Sequence, residues 1–383
     1  APLLAATGAA LYGVVRATQS PQRSRASLAW WVVAGAAAGA AMASKYTGIL
    51  VPVGVFGALV ARPGLRPRLA EPGPYIACAV AALVVVPVLA WNAGHDWMSL
   101  GFQLRHGLAG RARGTLIGRE LEMIGGQAGL VSPILFALLV AAVWRAFRRP
   151  ASDEQFLLAV VASVCFAFFM VSALRKPVEA NWPALAYVPA IPLLASAAFG
   201  DRGWRWFRAG WILAAALTLI IYAHAIGSIL PIPARKDPIA RSAGWDGLAR
   251  ATEAVRDSVA PSSGRQGGAV HVGAERYQDA SELAFHMRDR PRTFSLNLAG
   301  RQNQYDLWPG FAERAAPGDA LVLVLDDTEE LHPTLRQLRP HFAETRRGAA
   351  VELRARRGVV ARRRLWTLVG WRGSWPARAS SPS

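Results

Sequence analysis

The chain has 383 residues, of which 53% are hydrophobic, and its formal net charge is +18. Such a high apolar fraction excludes an intrinsically disordered chain, which needs low hydrophobicity to stay unfolded. Much of the positive charge lies in short loops between apolar blocks, whereas a nucleic-acid-binding protein gathers its basic residues on one soluble face. The composition therefore predicts a membrane protein with no nucleic-acid partner.

Eight apolar segments in residues 1–231 predict a bundle of about eight membrane-spanning helices, since about 20 apolar residues cross the hydrocarbon core. Several segments are short or contain proline, which helices buried among other helices tolerate. Gly35 and Gly39 are separated by three small residues, and this spacing predicts close contact with a neighbouring helix. The predicted segments are 1–15, 28–44, 48–61, 75–92, 130–147, 155–174, 183–199 and 209–230.

Every second loop between these segments carries three arginines, and loops rich in Lys and Arg face the cytoplasm. These loops are 16–27, 62–74, 145–154 and 200–208. The intervening segments, 45–47, 93–129 and 175–182, are then outside, as is everything after Pro231. The pattern predicts a multi-pass membrane protein with a C-terminal domain outside the cytoplasm.

The chain has only three lysines, and all three fall on the predicted outer side. A cation kept at the face that the positive-inside tendency disfavours indicates an anionic partner. For Lys176 and Lys236 we prefer the simpler interpretation, a long side chain that anchors a helix end. Lys45 differs, because the turn that carries it is so short that its ammonium group must lie at the rim of the bundle.

The outer segment 93–129 is the longest break in the membrane part. If residues 92–107 form one helix, Asn92, Asp96 and Gln103 share a face of it. The two histidines of this stretch are eleven residues apart, about 16 Å along a helix axis, so they cannot bind one metal as a pair. Asp96 and His95 could hold a single metal, and an interfacial helix with aromatic residues at the headgroups explains the stretch equally well.

Helical and strand patterns alternate after about residue 238, which predicts a small extramembrane α/β domain over 238–383. No glycine-rich loop follows a strand, so a nucleotide site is not predicted. The predicted helices are 244–259, 277–287 and 328–338, and the predicted strands are 269–272, 292–297 and 320–325.

Two stretches of this domain have open interpretations. Residues 300–308 are dense in hydrogen-bonding and aromatic groups, which suits either sugar recognition or an ordinary polar turn. The sugar-recognition candidates there are Arg301, Gln304, Tyr305 and Asp306. The Arg-rich tail 346–372 fits contact with anionic lipid headgroups, and it fits a closing strand nearly as well.

Short motifs along the chain, in their order and spacing, resemble one enzyme family. In the membrane part they are SKYT at 44–47, PGPY at 72–75, WNAGHDW at 91–97, FQLRHG at 102–107, GGQ at 125–127 and EANWP at 179–183. In the C-terminal domain they are GW at 244–245, YQDASELAF at 277–285 and GRQNQYDLW at 300–308. Together they resemble bacterial family 39 glycosyltransferases of the protein-mannosyltransferase type over residues 28–325.

The resemblance implies a GT-C fold and transfer of a sugar from a polyprenyl-phosphate carrier to a glycan, lipid or protein acceptor on the outer face of the membrane. By this resemblance Lys45 matches the lysine that approaches the carrier phosphate. The residues implied to line the outer cavity are Tyr46, Asn92, His95, Asp96, Gln103, His106, Asn181 and Trp182. Membrane lipids are the other expected partners, no cofactor is assigned, and a divalent metal is left open.

The family's acidic catalytic residue lies in the first outer loop, near the amino terminus of its members. The general base is therefore expected upstream of Ala1, and this chain alone is expected to be inactive. Two other classes are weighed. A non-catalytic scaffold that binds glycan or lipid is the first alternative. A transporter is disfavoured, because no apolar block carries a charged residue at mid-depth.

Overall fold

The computed structural model describes residues 1–108, 115–197, 200–259, 268–298, 302–328 and 330–376. The chain divides into two compact units, Ala1–Ile220 and Ile221–Ser383. The first is helical and apolar, and the second contains a five-stranded sheet. This is the predicted fold class, a polytopic helical membrane protein with a small C-terminal α/β domain.

Each of the eight predicted apolar segments coincides with a helix, seven of them to within a few residues, whereas the last helix begins eight residues before the predicted 209–230. Two further helices, α5 and α6, fall in the predicted outer segment. The helices are α1 Pro2–Gln19, α2 Arg25–Ser44, α3 Leu50–Ala61, α4 Pro72–Ala93, α5 Met98–Leu108, α6 Leu116–Val131, α7 Pro133–Arg148, α8 Asp153–Ala173, α9 Ala184–Ala195 and α10 Asp201–Gly227.

Within the described ranges, α2, α4, α8 and α10 are long and apolar enough to cross a membrane. A fifth span exists if α6 and α7 count as one, but these two helices are bent by 105° at Ser132. Ser132 has φ 78° and accepts a hydrogen bond from the Leu135 amide, so it caps α7 at the bend. Eight crossings remain a prediction, because α3 and α9 have only 12 residues each.

Close packing of α2 on α4 confirms the prediction made from the small-residue spacing. A Cβ added to Gly35 would lie 2.3 Å from the Ala77 carbonyl oxygen, and one added to Gly39 would lie 2.8 Å from that of Ala81. Both distances are shorter than any real side chain allows, so the two helix backbones touch. Glycine at these positions is what permits the contact.

Three of the four loops predicted to be cytoplasmic contact one another at one end of the bundle. The buried Arg68 guanidinium donates to the carbonyl oxygens of Thr18 and Ser20, at 2.7 and 2.8 Å, and pairs with Glu71. Arg62 pairs with Asp153 at 2.7 Å. The arginines of alternate loops therefore gather at the same end, as their pattern predicts.

The prediction of one helix over 92–107 is wrong. α4 ends at Ala93, and α5 begins at Met98. Between them Asp96 and Trp97 have φ 52° and 54°, a left-handed conformation that interrupts the helix and is rare outside glycine. Asn92 and Gln103 therefore lie on different helices, and the shared face of Asn92, Asp96 and Gln103 does not exist.

The second unit is an α/β domain with strand order β2-β1-β3-β5-β4. The first three of these strands are parallel, and β5 pairs antiparallel with both β3 and β4. The elements are α11 Trp245–Val259, β1 Val270–Ala274, α12 Tyr277–His286, β2 Thr293–Ser295, α13 Phe311–Arg314, β3 Ala320–Asp326, α14 Pro333–Leu338, β4 Phe342–Ala355 and β5 Gly358–Trp371.

The Arg-rich tail forms the hairpin of β4 and β5, so the closing-strand interpretation is the correct one. The strand β3 is buried along Ala320–Leu325. Its alternate side chains enter two cores, with Leu321, Leu323 and Leu325 on one face and Val324 on the other. A strand that is covered on both faces has an unbroken run of apolar residues in its sequence. This run is why β3 could be predicted.

Asp319 joins the starts of β1 and β3. Its carboxylate accepts hydrogen bonds from the amides of Ala269 and Ala316 at 2.8 and 2.9 Å, and it contacts the His271 ring at 2.9 Å. Burial alone raises the pKa of Asp319, but the bonds from Ala316, His271 and Ala269 outweigh burial and lower it. The ionised carboxylate is therefore the form that stabilises the sheet.

We expect Asp319→Asn to destabilise the domain at pH 7 by on the order of 1.5–3 kcal/mol, the usual worth of hydrogen bonds to a charged group. Because the folded-state pKa is lowered, this stabilisation is present above the unfolded value of about 3.9 and is lost as pH falls through the folded value. Hydrogen exchange of the β1 and β3 amides, corrected for its intrinsic pH dependence, measures both effects. The exposed Asp257→Asn is the control, and an equal acid sensitivity of wild type and Asp319→Asn would contradict the assignment.

Candidate functional site

Two cations converge on one aromatic ring at the predicted outer end of the bundle. The Lys45 ammonium lies 5.8 Å from the centroid of the Trp182 ring, and that of Lys176 lies 5.3 Å from it. Lys45 is exposed, and it pairs with no carboxylate within the described ranges. Burial lowers the pKa of Lys176, which shows that its ammonium group is partly desolvated. Both ammonium groups therefore lie within cation–π distance of the same ring.

The backbone around Lys45 is held in place by close packing. The Lys45 amide completes α2 by donating to the Ala41 carbonyl at 3.1 Å, and the Gly48 amide donates to the Lys45 carbonyl at 2.8 Å. A Cβ added to Gly48 would lie 2.5 Å from the Ala41 carbonyl carbon. The turn after Lys45 thus folds back onto α2, which fixes the start of the lysine side chain at the rim.

Asn92 fixes the neighbouring turn and is fully buried. Its amide nitrogen donates to the Val88 carbonyl at 2.9 Å and to the Tyr46 hydroxyl at 3.3 Å, and its oxygen accepts from the Leu100 amide at 3.1 Å. The Tyr46 hydroxyl also bonds Ser99 at 2.8 Å. The structure therefore brings Tyr46 and Asn92 together, and Asn92 holds the start of α5 against the end of α4.

The other predicted outer-cavity residues have differing surroundings. The His95 ring stacks on Trp91 at 4.1 Å, and its Nδ1 lies 2.7 Å from the Trp91 carbonyl oxygen. Asp96, Gln103 and Asn181 are exposed. The backbone of His106 belongs to α5, but its side chain lies outside the described part of the chain.

Two buried polar residues of α6, Arg119 and Gln127, are not among the predicted site residues, and Gln127 is noted only as part of the GGQ motif. Arg119 donates from Nε to the Ala173 carbonyl at 2.9 Å and from Nη2 to the Leu174 carbonyl at 2.7 Å, so it caps α8. Gln127 donates to the Ala180 carbonyl at 2.8 Å and accepts from the Tyr187 hydroxyl at 2.9 Å. These bonds tie the segment carrying Lys176 and Trp182 to α6.

Glu120 lies beside Arg119 and has an unusual environment. Both of its carboxylate oxygens are buried, and neither has a hydrogen-bond partner among the residues that the structure describes. A buried carboxylate without a partner is costly, so Glu120 is a candidate for contact with a bound ligand. Nothing in the pattern of an amphipathic helix distinguishes it from the exposed Glu122 two residues later.

The candidate sugar-recognition residues of the C-terminal domain also differ in their surroundings. Asp306 forms a capping box with Asn303 and also bonds the Asn297 amide at 3.2 Å, so it has a structural role. The Tyr305 ring packs edge-on against Trp308 at 5.2 Å, and its hydroxyl bonds Ser281 at 3.1 Å. Gln304 is exposed, and Arg301 lies outside the described residues.

Metal binding finds little support in the geometry. Across the described ranges, no three His, Cys, Asp or Glu side chains converge closely enough to hold an ion. His95 is stacked on Trp91, and its Nδ1 faces a backbone carbonyl. The described residues therefore do not fit a resident divalent metal at Asp96 and His95.

Comparisons with known proteins agree with the architecture. A family profile described as dolichyl-phosphate-mannose-protein mannosyltransferase matches residues 1–91. The lipid A galacturonosyltransferase RgtD of Rhizobium johnstonii is 31% identical over 176 residues, which cover 43% of this chain and 34% of the relative. The chain thus aligns with about a third of the length of this curated relative.

Solved structures extend the likeness to both units. ArnT from Cupriavidus metallidurans in the apo state has a TM-score of 0.55 at 17% identity, covering 95% of this chain and 73% of ArnT. The structure of the same protein bound to undecaprenyl phosphate has a TM-score of 0.54, with the same identity and coverage. At this identity the likeness establishes the fold.

The profile, the relative and the fold agree with the motifs in the sequence. The chain is a multi-pass bacterial membrane protein with the GT-C-type fold of these structures, and its first part is similar in sequence to protein-mannosyltransferase-type glycosyltransferases.

Proposed function

We propose that this protein transfers a sugar from a polyprenyl-phosphate-linked donor to an acceptor on the outer face of the membrane. The observation that carries the proposal is the convergence of Lys45 and Lys176 on the ring of Trp182. Two ammonium groups at the rim of a GT-C-type bundle suit a phosphate at the membrane surface. A protein of this fold bound to undecaprenyl phosphate supports the same class of donor.

In the proposed reaction an acceptor hydroxyl attacks the anomeric carbon of the donor. The new glycosidic C–O bond forms as the bond to the phosphate oxygen breaks, and the polyprenyl phosphate leaves with the bonding electron pair. A general base takes the hydroxyl proton, and we assign this base to no residue of this chain. Lys45, with Lys176 beside it, stabilises the negative charge that develops on the leaving phosphate.

An apolar cavity offers a place for the polyprenyl chain. It has a volume of about 590 Å³ and lies between α7, α8 and α9. Its lining includes Phe136, Phe166 and Met170, with Tyr187 as one of the few polar groups. A long hydrocarbon chain is the ligand that such a lining favours, since apolar contact is nearly all it provides.

The acceptor is proposed to be a glycolipid. The relationship to a lipid A galacturonosyltransferase favours a lipid-anchored glycan over a protein acceptor. Such an acceptor diffuses in the same membrane leaflet as the donor and would meet it at the outer end of the bundle.

The test is a titration of the full chain in detergent with a fluorescent short-chain polyprenyl phosphate, alongside the matching polyprenyl alcohol. If a phosphate site exists, the phosphate should bind saturably and at least about tenfold more tightly than the alcohol, which lacks the charged hydrogen bonds. Equal binding of the two compounds would mean that only the apolar chain is recognised, and it would overturn the proposal. If the longest natural form of the protein binds the donor but transfers no sugar to any acceptor, the result would favour a non-catalytic scaffold instead.

The orientation is a separate prediction. Because three arginines mark every second loop, residues after Pro231 should lie outside the cytoplasm. Alkaline phosphatase fused after residue 240 should be active, and the same enzyme fused after residue 150 should be inactive. A cytoplasmic reporter at both positions serves as the control. The reverse pattern would place the Lys45 end of the bundle in the cytoplasm.

A further inference from the structure

A groove lies along the edge of the sheet in the C-terminal unit. It has a volume of about 590 Å³ and is lined by β2, residues 290–292 before it, Ala284 of α12, Tyr305 and residues 308–310. This volume falls within the roughly 300–1,000 Å³ of small-ligand sites. Among the strands that the structure describes, β2 pairs with β1 alone, so no described strand covers its outer side. Backbone polar groups on such an edge are available to a ligand.

The charge of the groove is one-sided. Arg290 and Arg292 line it, and none of the described residues that line it is acidic. Neither arginine forms an ion pair with a carboxylate among the described residues, whereas Arg362, Arg363 and Arg364 all do. Arg292 donates from Nη2 to the Pro309 carbonyl at 3.2 Å, which holds its side chain in the groove. Arg290 lies 5.7 Å from the ring of Phe285. Two oriented guanidinium groups without counter-charge favour a carboxylate or phosphate ligand.

An aromatic platform accompanies the two arginines. Trp308 is 50% exposed although it is among the most apolar groups of this unit. Tyr305 packs against it at 5.2 Å and is itself anchored by the bond from its hydroxyl to Ser281. An exposed indole held in a fixed position can stack on the apolar face of a sugar ring. The groove thus combines the two features that recognise a charged sugar.

We propose that this groove binds an anionic sugar, a hexose that carries a carboxylate or a phosphate. The sugar ring stacks on Trp308, and the acidic group lies against Arg290 and Arg292. The inference is independent of the donor site at Lys45, since every residue it uses belongs to the C-terminal unit. It adds to the enzyme a second place at which a glycan is recognised.

Three probes test the proposal on the full chain in detergent: digalacturonic acid, galactose 1-phosphate and the neutral disaccharide galactobiose. At least one of the two anionic probes should bind at least about tenfold more tightly than galactobiose. The anionic probe with the higher affinity shows whether the groove prefers a carboxylate or a phosphate. Its affinity should fall as salt rises, because charge dominates the contact. Equal binding of all three probes, or binding of none, would overturn the proposal.

Variants then locate the site. Arg292→Gln should weaken the anionic probe by about tenfold while leaving galactobiose unchanged, and Trp308→Ala should weaken both. Arg250→Gln is the matched control, because Arg250 is an exposed arginine of α11 that does not line the groove. Arg292→Gln should leave the binding of the short-chain polyprenyl phosphate unchanged, so failure of the donor proposal is distinguishable from failure of this one. If an anionic probe binds Arg292→Gln as tightly as it binds the wild type, the probe binds outside this groove and the proposal is wrong.

Discussion

Arg363→Met is expected to destabilise the C-terminal domain by about 3–5 kcal/mol, the largest effect among the substitutions considered, because it leaves a buried charge unpaired. Arg363 donates from Nε to Asp279 at 2.9 Å, and its Nη1 lies 2.6 Å from Asp326. The side chains of Arg363 and Asp279 are only 8% and 5% exposed. Arg276 still reaches Asp279 at 3.4 Å, but from an exposed position where solvent screens it.

The neighbouring residue provides a matched control. Arg362 is on the same strand and pairs with Glu352 at 2.7 Å, but its side chain is 55% exposed. Exposed pairs contribute about 0–1 kcal/mol, so Arg362→Met should have a small effect. Hydrogen exchange of the β3 amides should accelerate by roughly two orders of magnitude or more in Arg363→Met, since about 1.4 kcal/mol corresponds to a factor of ten.

The double variant Arg363→Met with Asp279→Leu tests the cause. Removing both charges should recover much of the loss, because replacing a buried ion pair with apolar groups is often neutral. If Arg363→Met alone leaves β3 exchange unchanged, the pair contributes nothing to stability. If the double variant is less stable than the single, the loss comes from packing rather than from an unpaired carboxylate.

Gly35→Ala is expected to destabilise the helix bundle by about 1–3 kcal/mol or more, as overpacking does. The added Cβ would lie 2.3 Å from the carbonyl oxygen and 2.7 Å from the Cα of Ala77. Both atoms belong to the backbone of α4, so neither can rotate away, and α2 and α4 must separate. Alanine in a helix interior is more favourable than glycine by up to about 1 kcal/mol, and this gain in helix propensity offsets only part of the overpacking cost.

Gly57→Ala on α3 is the control for this prediction. Its added Cβ would meet only the Val160 Cγ1, at an ordinary 3.7 Å, so helix propensity should prevail and stability should not fall. The fraction of protein that stays monodisperse in detergent after heating measures both variants. A Gly35→Ala protein as heat-resistant as wild type would contradict the close contact of α2 and α4.

Much of the helical architecture could be predicted because the signals are local. Long apolar runs gave α2, α4 and α8, and the spacing of Gly35 and Gly39 gave the contact between two of them. The arginine pattern of alternate loops predicted which loops meet, and Arg68 and Arg62 make those contacts. Each of these signals depends on the composition of one segment and the physics of the bilayer.

The missed features depend on contacts between distant segments. Gly94 follows α4 directly, but the left-handed residues of the turn are Asp96 and Trp97, which the sequence does not mark, so the break between α4 and α5 was not predicted. The approach of Lys176 and Lys45 to the ring of Trp182 joins segments more than 130 residues apart, so no local pattern predicts it. The arginines of the groove look like ordinary surface charges until the strand order places them at an open edge.

The central claim is that Lys45 holds the phosphate of a polyprenyl donor, and titration of a fluorescent short-chain polyprenyl phosphate against matched variants tests it most directly. Lys45→Ala should weaken binding about tenfold or more, since a hydrogen bond to a charged group contributes roughly 1.5–3 kcal/mol. Lys45→Arg should retain part of the affinity, because it keeps the charge but loses the point-like ammonium. Lys236→Ala, which removes a lysine of the other unit, should bind as wild type does. Equal affinity of wild type and Lys45→Ala for the phosphate would contradict the account and leave Lys45 as an anchor at the end of α2.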